Sequence, residues 1–157
     1  MTSDPAMSPP TGAAFLLAQL GAHGARLFGD RIKVIGMTLP HAGILRLVAS
    51  IPECSQKGLA ERLGILPSRM VILIDELDAK GLVRRQRNTK DRRNYALALT
   101  KHGEKVLQQL SRLAAEHEAD LCAALSAEEK SALAKLCRKI AAQQGLTPGV
   151  HPGYRDL

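Results

Sequence analysis

The chain has 157 residues and a net charge of +7; 45% of its residues are hydrophobic, and only 3% are aromatic. This length and apolar content predict one domain with a hydrophobic core and argue against wholesale disorder. The scarcity of aromatic residues argues against the stacking platforms that bind single-stranded nucleic acids. Neither a secretory signal nor an apolar run of roughly 20 residues is recognisable, so we expect a cytoplasmic protein without a membrane partner.

The N-terminal third of the chain is predicted to form a flexible arm and two helices. Residues 1–12 are rich in Pro and small polar residues, which is typical of a loosely attached segment. Apolar residues at helical spacing predict a first helix over about residues 13–35. Thr38 is the expected N-cap of the second helix, which has Pro40 in its first turn.

Two short helices joined by a tight turn are predicted next. Ser55 is the expected cap of a helix over residues 56–63, and the following helix is expected to run over residues 67–80. A small residue in the first helix, a glycine at the turn and apolar residues in the second helix have the spacing of a helix-turn-helix. The residues with this spacing are Gln56, Ala60, Gly64, Met70 and Leu73.

A β-hairpin is predicted to follow the helix pair. Its strands are expected over residues 82–87 and 94–100, on either side of a hydrophilic tip. Because side chains alternate along a strand, Tyr95, Leu97 and Leu99 are expected on one face of the second strand.

The net charge of the protein is concentrated around this hairpin. Residues 80–105 contain nine Lys or Arg and two acids, whereas the remaining 13 basic and 13 acidic residues cancel. A positive field of this density is expected of a surface that binds a phosphate backbone, and it indicates that the hairpin is the wing of a winged helix-turn-helix. The alternative, an ordinary helical pair beside a solvated charged loop, is disfavoured by the concentration of charge.

Two more helices and a tail are predicted after the hairpin. Thr100 is the expected cap of a long helix over about residues 101–125. The segment Ser126–Glu129 has the capping-box pattern and starts the last helix, which is expected to end at Gly145. The tail, residues 146–157, has the composition of a loop. The predicted fold class is therefore mainly α with a small β-hairpin wing (α+β).

Over roughly Gly36–Leu125 the chain resembles the multiple-antibiotic-resistance regulator (MarR) family of bacterial transcription factors. The motifs that carry the resemblance are Gly36–Thr38, Ser55–Gly64, Leu77–Val83, Arg87–Arg93 and Ala98–Gly103. The last two are the most specific, because Asp91-Arg92-Arg93 matches the Asp-x-Arg signature of the family's wing.

The resemblance implies a two-fold symmetric homodimer that binds double-stranded DNA. Helices over residues 13–36 and 101–145 would form the dimer interface, and residues 37–100 would form the winged helix-turn-helix domain. The second helix of the motif would enter the major groove of a pseudo-palindromic operator, and the wing tip would reach the adjacent minor groove. Half-sites are then expected about one helical turn apart.

Four residues at the wing tip are predicted to bind DNA. Arg93 is expected to enter the minor groove, where the negative potential of a narrow groove is greatest. Lys90 and Arg92 are expected to contact phosphates, which gives affinity without sequence information. Asp91, the only acid among these cations, is expected to support a neighbouring arginine.

The second helix of the motif carries the predicted base-reading residues. Ser68 and Arg69 lie in its first turn, where free N–H groups suit a phosphate, and Arg69 is the candidate for reading a guanine edge. Ser55, which caps the preceding helix, is also predicted to contact DNA. Val71 and Ile72 depart from the polar residues that family members commonly place here, and they are not expected both to face the core. They either contact thymine methyl groups or are inert, which would leave specificity to Arg69 and the wing.

The resemblance also implies a pocket for a small organic effector, often phenolic or anionic, near the junction of the dimerisation and DNA-binding regions. His41 and His117 are the candidate lining residues, and the alternative for each is an ordinary packed or exposed histidine. Cys54 is considered as an oxidant-sensitive thiol, since a helix dipole can lower a thiol pKa. The sequence contains no catalytic, metal or cofactor pattern, so we expect neither enzymatic activity nor a cofactor.

These features predict a dimeric, ligand-responsive and sequence-specific transcriptional regulator. Repression is the expected effect on transcription, because a dimer bound at a promoter blocks polymerase by occupying its site. The alternative is a winged-helix module without an effector, which binds DNA nonspecifically or acts through protein partners.

Overall fold

The structure, a computed structural model, describes residues 11–89 and 95–156, with only the backbone described for residues 155 and 156. The elements in these ranges are α1 (Ala13–Lys33), α2 (Leu39–Ser50), α3 (Gln56–Leu63), α4 (Pro67–Ala79), β1 (Val83–Arg87), β2 (Tyr95–Leu99), α5 (Lys101–Leu121), α6 (Ala127–Gln143) and a 3-10 helix (Pro152–Asp156). The predicted mainly helical fold with one hairpin is confirmed. In the described part of the chain, no helix has both the length and the apolar character needed to traverse a bilayer.

Side-chain caps confirm four of the predicted helix starts. The hydroxyl oxygens of Thr38, Ser55, Thr100 and Ser126 each accept a hydrogen bond from the backbone N–H three residues later. Gly64 closes α3 in the left-handed conformation, with φ of 68°, where a residue without a Cβ has no steric penalty. The local start and stop signals in this sequence therefore determine where most of the helices lie.

The hydrophobic core is enclosed by α2, α3, α4, the hairpin and the first half of α5. Each fully buried aliphatic side chain contributes roughly 1.5–3 kcal/mol relative to an exposed one. The largest fully buried residues are Ile32, Ile44, Leu45, Leu59, Leu63, Met70, Leu73, Ile74, Leu77 and Val83. In contrast, α6 has no buried residue in the single chain.

The second strand is enclosed more completely than the sequence predicted. β1 and β2 pair antiparallel, with Val83 opposite Leu99 and Arg87 opposite Tyr95. On its other edge β2 pairs with the loop before α3, because the Leu97 N–H donates to the Cys54 carbonyl at 2.8 Å. With both edges paired, Ala96 and Leu97 are both buried, while Tyr95 at the outer end of the strand is exposed. Tyr95, Leu97 and Leu99 share one face of this regular strand as predicted, but of the three only Leu97 is fully buried.

Two predicted boundaries in the C-terminal part also change. α5 ends at Leu121 rather than near residue 125, because three-residue turns such as Ala123 N–H to Asp120 carbonyl close its end. The tail is not a simple loop: its 3-10 helix brings Tyr154 against α2, where the side chain is only 8% exposed. The phenolic hydroxyl of Tyr154 donates a hydrogen bond to the Leu39 carbonyl at 3.0 Å.

The first turn of α5 crosses the base of the hairpin at a glycine. A Cβ added to Gly103 would lie 2.0 Å from the Leu82 carbonyl oxygen, a backbone atom that cannot move aside without distorting β1. The Thr100 N–H donates to this same carbonyl at 3.1 Å. The absence of a side chain at residue 103 therefore lets α5 and the wing share one junction.

We expect Gly103→Ala to destabilise the protein by at least about 2 kcal/mol, because the new methyl group overlaps backbone. Gly29→Ala is the matched control, since its Cβ would meet only Leu39 Cγ at 3.9 Å and the substitution favours the helix by up to about 1 kcal/mol. Urea denaturation at one fixed protein concentration measures both changes. Equal stability of the Gly103→Ala protein and the wild type would contradict this account of the junction.

Candidate nucleic-acid interface

The second helix of the helix-turn-helix, α4, buries one side in the core and exposes the other. Val71 and Ile72 lie on the exposed side, with 42% and 48% of their surfaces accessible. Ser68 in the first turn is also exposed, and Arg69 beside it is half-buried. The expectation that Val71 and Ile72 do not both face the core is confirmed, because neither does.

The N-terminus of α4 lacks the side-chain cap that α2, α3, α5 and α6 possess. Pro67 occupies its first position, and the preceding Leu66 offers no oxygen acceptor on its side chain. The backbone N–H groups of Ser68 and Arg69 therefore have no partner within the helix. Together with the positive end of the helix dipole, such groups favour an anionic ligand such as a phosphate.

Arg85 on β1 holds the wing against α4. Its guanidinium lies 2.5 Å from a carboxylate oxygen of Asp75 and 3.3 Å from one of Asp78. The two acids are three residues apart, so they project from the same side of the helix. This pairing offsets one of the two negative charges on the exposed side of α4, which would otherwise repel phosphates. The spacing of the acids is visible in the sequence, but their cationic partner was missed because only the fold brings β1 beside them.

Glu53 fixes the wing at a second point. This residue lies in the loop between α2 and α3, with a φ of 53°. Its carboxylate accepts hydrogen bonds from both the backbone N–H of Thr89, at 3.0 Å, and the Thr89 hydroxyl. Thr89 immediately precedes the segment that the predictions assign to DNA, so the loop sets the direction in which the hairpin leaves the core. The sequence contained no signal for this contact.

The structure places Ser55 where α3 meets the wing. Its hydroxyl accepts a hydrogen bond from the Gly58 N–H at 3.0 Å, and its backbone bridges to Ala96 of β2. Ser55 is half-buried, so its main role in the single chain is to cap α3 and join it to β2. The predicted DNA contacts that lie outside the described residues are Lys90, Asp91, Arg92 and Arg93.

His41 joins α2 to α4 in the interior. Its ring is almost fully buried, and Nε2 lies 2.8 Å from a carboxylate oxygen of Glu76. The buried Nδ1 has no hydrogen-bond partner among the described residues. Burial lowers the pKa of His41, and this outweighs the opposite effect of its hydrogen bond to Glu76. We infer a neutral ring with its proton on Nε2, because protonation would leave a buried N–H at Nδ1 without an acceptor.

A cavity of about 920 Å³ lies between α1, α2, α5, α6 and the tail. His117 lines it and packs against Phe28, with 5.3 Å between the ring centroids. Arg46, Arg138 and His151 also line the cavity, and no Asp or Glu does so in the described parts of the chain. Apolar walls with basic side chains at the rim suit a small organic anion.

The two predicted pocket residues are not brought together. His117 lies on the wall of the cavity, whereas His41 lines neither this cavity nor a second one of about 700 Å³ between α2, β2 and α5. The residues of the tail that complete the larger cavity were missed from the sequence. One signal was available, since Tyr154 is one of only four aromatic residues in a chain without tryptophan.

Cys54 is buried beside the Ser55 cap. Burial raises the pKa of its thiol, and the smaller opposing effect of Arg62 does not reverse this. The thiolate, which is the form that oxidants attack, is therefore disfavoured. The pKa of the Cys54 thiol is therefore shifted in the direction opposite to the lowering that a helix dipole was expected to cause.

A helix-turn-helix whose second helix exposes a polar N-terminus, with a cationic hairpin fixed beside it, defines the winged helix-turn-helix class of DNA-binding proteins. Residues 35–94 match the model of the MarR family. A putative transcriptional regulatory protein for the hcr operon of Thauera aromatica is 31% identical over 113 residues, which cover 72% of this chain and 68% of that protein. The chain belongs to the MarR family and is a DNA-binding transcriptional regulator.

Solved structures have the same fold. A mutant of MarR from E. coli complexed with operator DNA has a TM-score of 0.69 at 22% identity, and the match covers 81% of this chain and 91% of that one. The Mycobacterium tuberculosis MarR family protein Rv2887 in complex with salicylic acid has a TM-score of 0.68 at 22% identity, covering 84% and 98%. At this level of identity the likeness concerns the fold.

We expect Arg85→Met to loosen the wing without unfolding the protein. Because the ion pairs are partly exposed, the free energy of unfolding should change by no more than about 1 kcal/mol. The amides of β1 and β2 should exchange faster with solvent, and DNA affinity should fall by more than in Arg84→Met, a neighbouring substitution on β1 that removes the same charge. Hydrogen exchange by mass spectrometry and fluorescence anisotropy with duplex DNA measure the two effects. Identical exchange in the two variants would contradict the role of Arg85.

We expect His41 to make the protein less stable as the pH falls. Its pKa in the folded state is lower than the ordinary value of 6.5, so below pH 6.5 the unfolded chain takes up a proton that the folded chain excludes. This contribution is complete above pH 6.5 and is lost as the pH falls further. His41→Gln should therefore show a shallower loss of stability between about pH 7 and pH 5 than the wild type, whereas the exposed-site control His102→Gln should not. Urea denaturation across this pH range measures the slopes, and parallel slopes for His41→Gln and wild type would contradict the assignment.

Proposed function

We propose that the protein is a homodimeric repressor that binds a pseudo-palindromic operator and is released from it by a small organic anion. The observation that carries the proposal is the exposed side of α4, a helix that has an uncapped N-terminus and is joined to a wing that Arg85 and Glu53 hold in place. A rigid pair of reading elements is what specific recognition requires, because loose elements would lose conformational entropy on binding.

The apolar surface of the terminal helices supports the dimer. α1 exposes Leu16 and Leu20, and α6 exposes Leu133, Leu136 and Ile140. Helices with apolar side chains on their surfaces and no core of their own gain most by packing against a second copy. Two recognition helices related by a two-fold axis would then meet two half-sites about one helical turn apart.

The chemistry of α4 and the wing supports a division of roles. We assign base reading to Arg69, assisted by Ser68, and backbone contacts to Ser55, Lys90 and Arg92. Arg93 is assigned to the minor groove, with Asp91 as its support. The exposure of Val71 and Ile72 is compatible with both alternatives: contact with thymine methyl groups, or no part in base recognition.

The cavity supports regulation by a small molecule. Its lining carries Arg46, Arg138, His117 and His151 without an acidic residue in the described parts of the chain. An aromatic carboxylate would place its charge near these groups and its ring against the apolar walls. Among the solved structures of the same fold, one is a MarR family protein in complex with salicylic acid and another is a MarR mutant in complex with operator DNA. An effector here would act by favouring a dimer geometry with the wrong spacing of recognition helices.

The alternative is an effector-independent module that binds DNA nonspecifically or acts through protein partners. The apolar residues Val71 and Ile72 at the centre of the recognition helix favour it, because they make no hydrogen bonds to base edges. The two functions differ in how affinity depends on DNA sequence.

We expect the wild type to bind an operator, located by footprinting upstream of its own gene, more tightly than a scrambled duplex of the same composition. Arg69→Ala should lose about 1–3 kcal/mol of this discrimination, because a bidentate guanine contact is removed. Lys90→Ala should instead weaken binding to both duplexes equally. It should also reduce the slope of log affinity against log salt concentration by about 1. Anisotropy titrations across a salt series measure these quantities. Equal affinities and slopes for the two duplexes in the wild type would favour the alternative.

We expect Leu136→Asp to dissociate the dimer. The dimer dissociation constant should rise at least about 100-fold, because two-fold symmetry introduces the buried charge twice. Val34→Asp is the matched control, since Val34 is 81% exposed at the end of α1 and lies outside the apolar surface of α6. Sedimentation velocity measures the constants, and an unchanged dimer in the Leu136→Asp protein would refute the proposed interface.

A further inference from the structure

The tail after α6 folds back onto α2. We call residues 146–154 the strap. The phenolic hydroxyl of Tyr154 donates to the Leu39 carbonyl at 3.0 Å, and the guanidinium of Arg46 donates to the Gly149 carbonyl. Inside the strap, the Val150 and Tyr154 N–H groups donate to carbonyls three residues earlier. The strap is therefore held near its middle and at its C-terminal end by residues of α2.

The ring of Tyr154 packs into a gap on the surface of α2 that a glycine creates. A Cβ on Gly43 would lie 2.9 Å from the phenolic oxygen and 3.0 Å from Cε2 of Tyr154, closer than such atoms approach. Gly43 is in the interior of a helix, where glycine is unfavourable by roughly 0.5–1 kcal/mol relative to alanine. Glycine at this position therefore makes α2 less stable but lets the ring of Tyr154 pack closely against the helix.

The strap is also a wall of the large cavity. Its lining includes nearly the whole strap, from Leu146 through Val150 to Tyr154, opposite Phe28 of α1 and Leu107 of α5. Without a seated strap the site would lack one side, and Arg46 of α2 would lose the carbonyl partner that orients it toward the cavity.

We propose that the strap completes the effector site and that effector binding and the seating of Tyr154 in the Gly43 gap reinforce each other. This inference rests on the proposed effector function of the cavity. A ligand that contacts the strap, Arg46 and α5 together gains affinity only when the strap is seated, and by linkage its binding must hold the strap in place. Since the strap is the continuation of α6, occupancy of the cavity would couple the proposed dimerisation helix to α2 and hence to the winged domain.

The test uses the full-length chain and 8-anilinonaphthalene-1-sulfonate, an aryl anion whose fluorescence reports apolar binding. Tyr154→Ala and Gly43→Ala both unseat the strap, but Gly43→Ala does so while favouring α2, so a shared effect cannot come from unfolding of that helix. The controls are Tyr95→Ala, which removes the exposed tyrosine of the wing, and Gly29→Ala, which changes a helical glycine with no close contact.

In hydrogen exchange without ligand, the hydrogen-bonded amides of Val150, Gly153 and Tyr154 should exchange about ten-fold faster in both strap variants than in the wild type and controls. Both strap variants should also bind the dye about ten-fold more weakly, and the dye should slow strap exchange in the wild type. A strap that exchanges at the rate of an unstructured peptide in the wild type overturns the proposal. Dye affinities that are equal in all five proteins, or no dye binding to any of them, overturn it as well.

The effector function itself is tested separately, by titrating sodium salicylate into the complex of the wild type with operator DNA. If salicylate releases the DNA while the strap variants behave as the wild type, the repressor proposal stands and the strap proposal fails. If the strap responds to the dye as expected while no aryl anion changes DNA affinity, the strap remains part of a ligand site and the proposed regulation fails.

Discussion

The attachment of the wing to the recognition helix is the constraint on which the DNA-binding surface depends. A cationic hairpin and a helix N-terminus are useful together only at a fixed separation, and Arg85 fixes it by bridging β1 to Asp75 and Asp78 of α4. The same contact offsets part of the negative charge on the side of α4 that faces solvent. Glu53 adds a second anchor through Thr89, so the hairpin is held both at the middle of β1 and near its tip. One set of partly exposed ion pairs thus contributes little to stability and much to geometry.

The hydrogen bond between buried His41 and the partly exposed Glu76 extends this arrangement into the core. It links α2 to the recognition helix across the interior, while the strap links α2 to the end of α6. α2 is therefore the element that both the proposed effector site and the DNA-binding helix share. A displacement of α2 by a ligand would be transmitted to α4 by this directional, part-buried hydrogen bond as well as by the core packing between the two helices.

Much of the fold could be predicted because its signals are local. Thr38, Ser55, Thr100 and Ser126 each cap a helix that follows directly, and the capping geometry needs only a few consecutive residues. The class of the protein followed from a similarly local feature, the concentration of basic residues in one hairpin. The pairing of β2 on both edges could not be predicted, because its second partner comes from a distant loop: Leu97 pairs with Cys54.

The sequence by itself determined the helices, the hairpin, the charge of the wing and the family of the protein, because periodicity, caps and net charge are properties of neighbouring residues. Only the tertiary structure decided that Arg85 serves the fold: in sequence it has the same side chain as Arg84 and Arg87, but it lies against two acids of α4. It also decided that the tail is a wall of the cavity and that His41 is a buried link instead of a pocket residue. These assignments depend on contacts between residues far apart in the chain, and no local pattern specifies which distant partner a side chain meets.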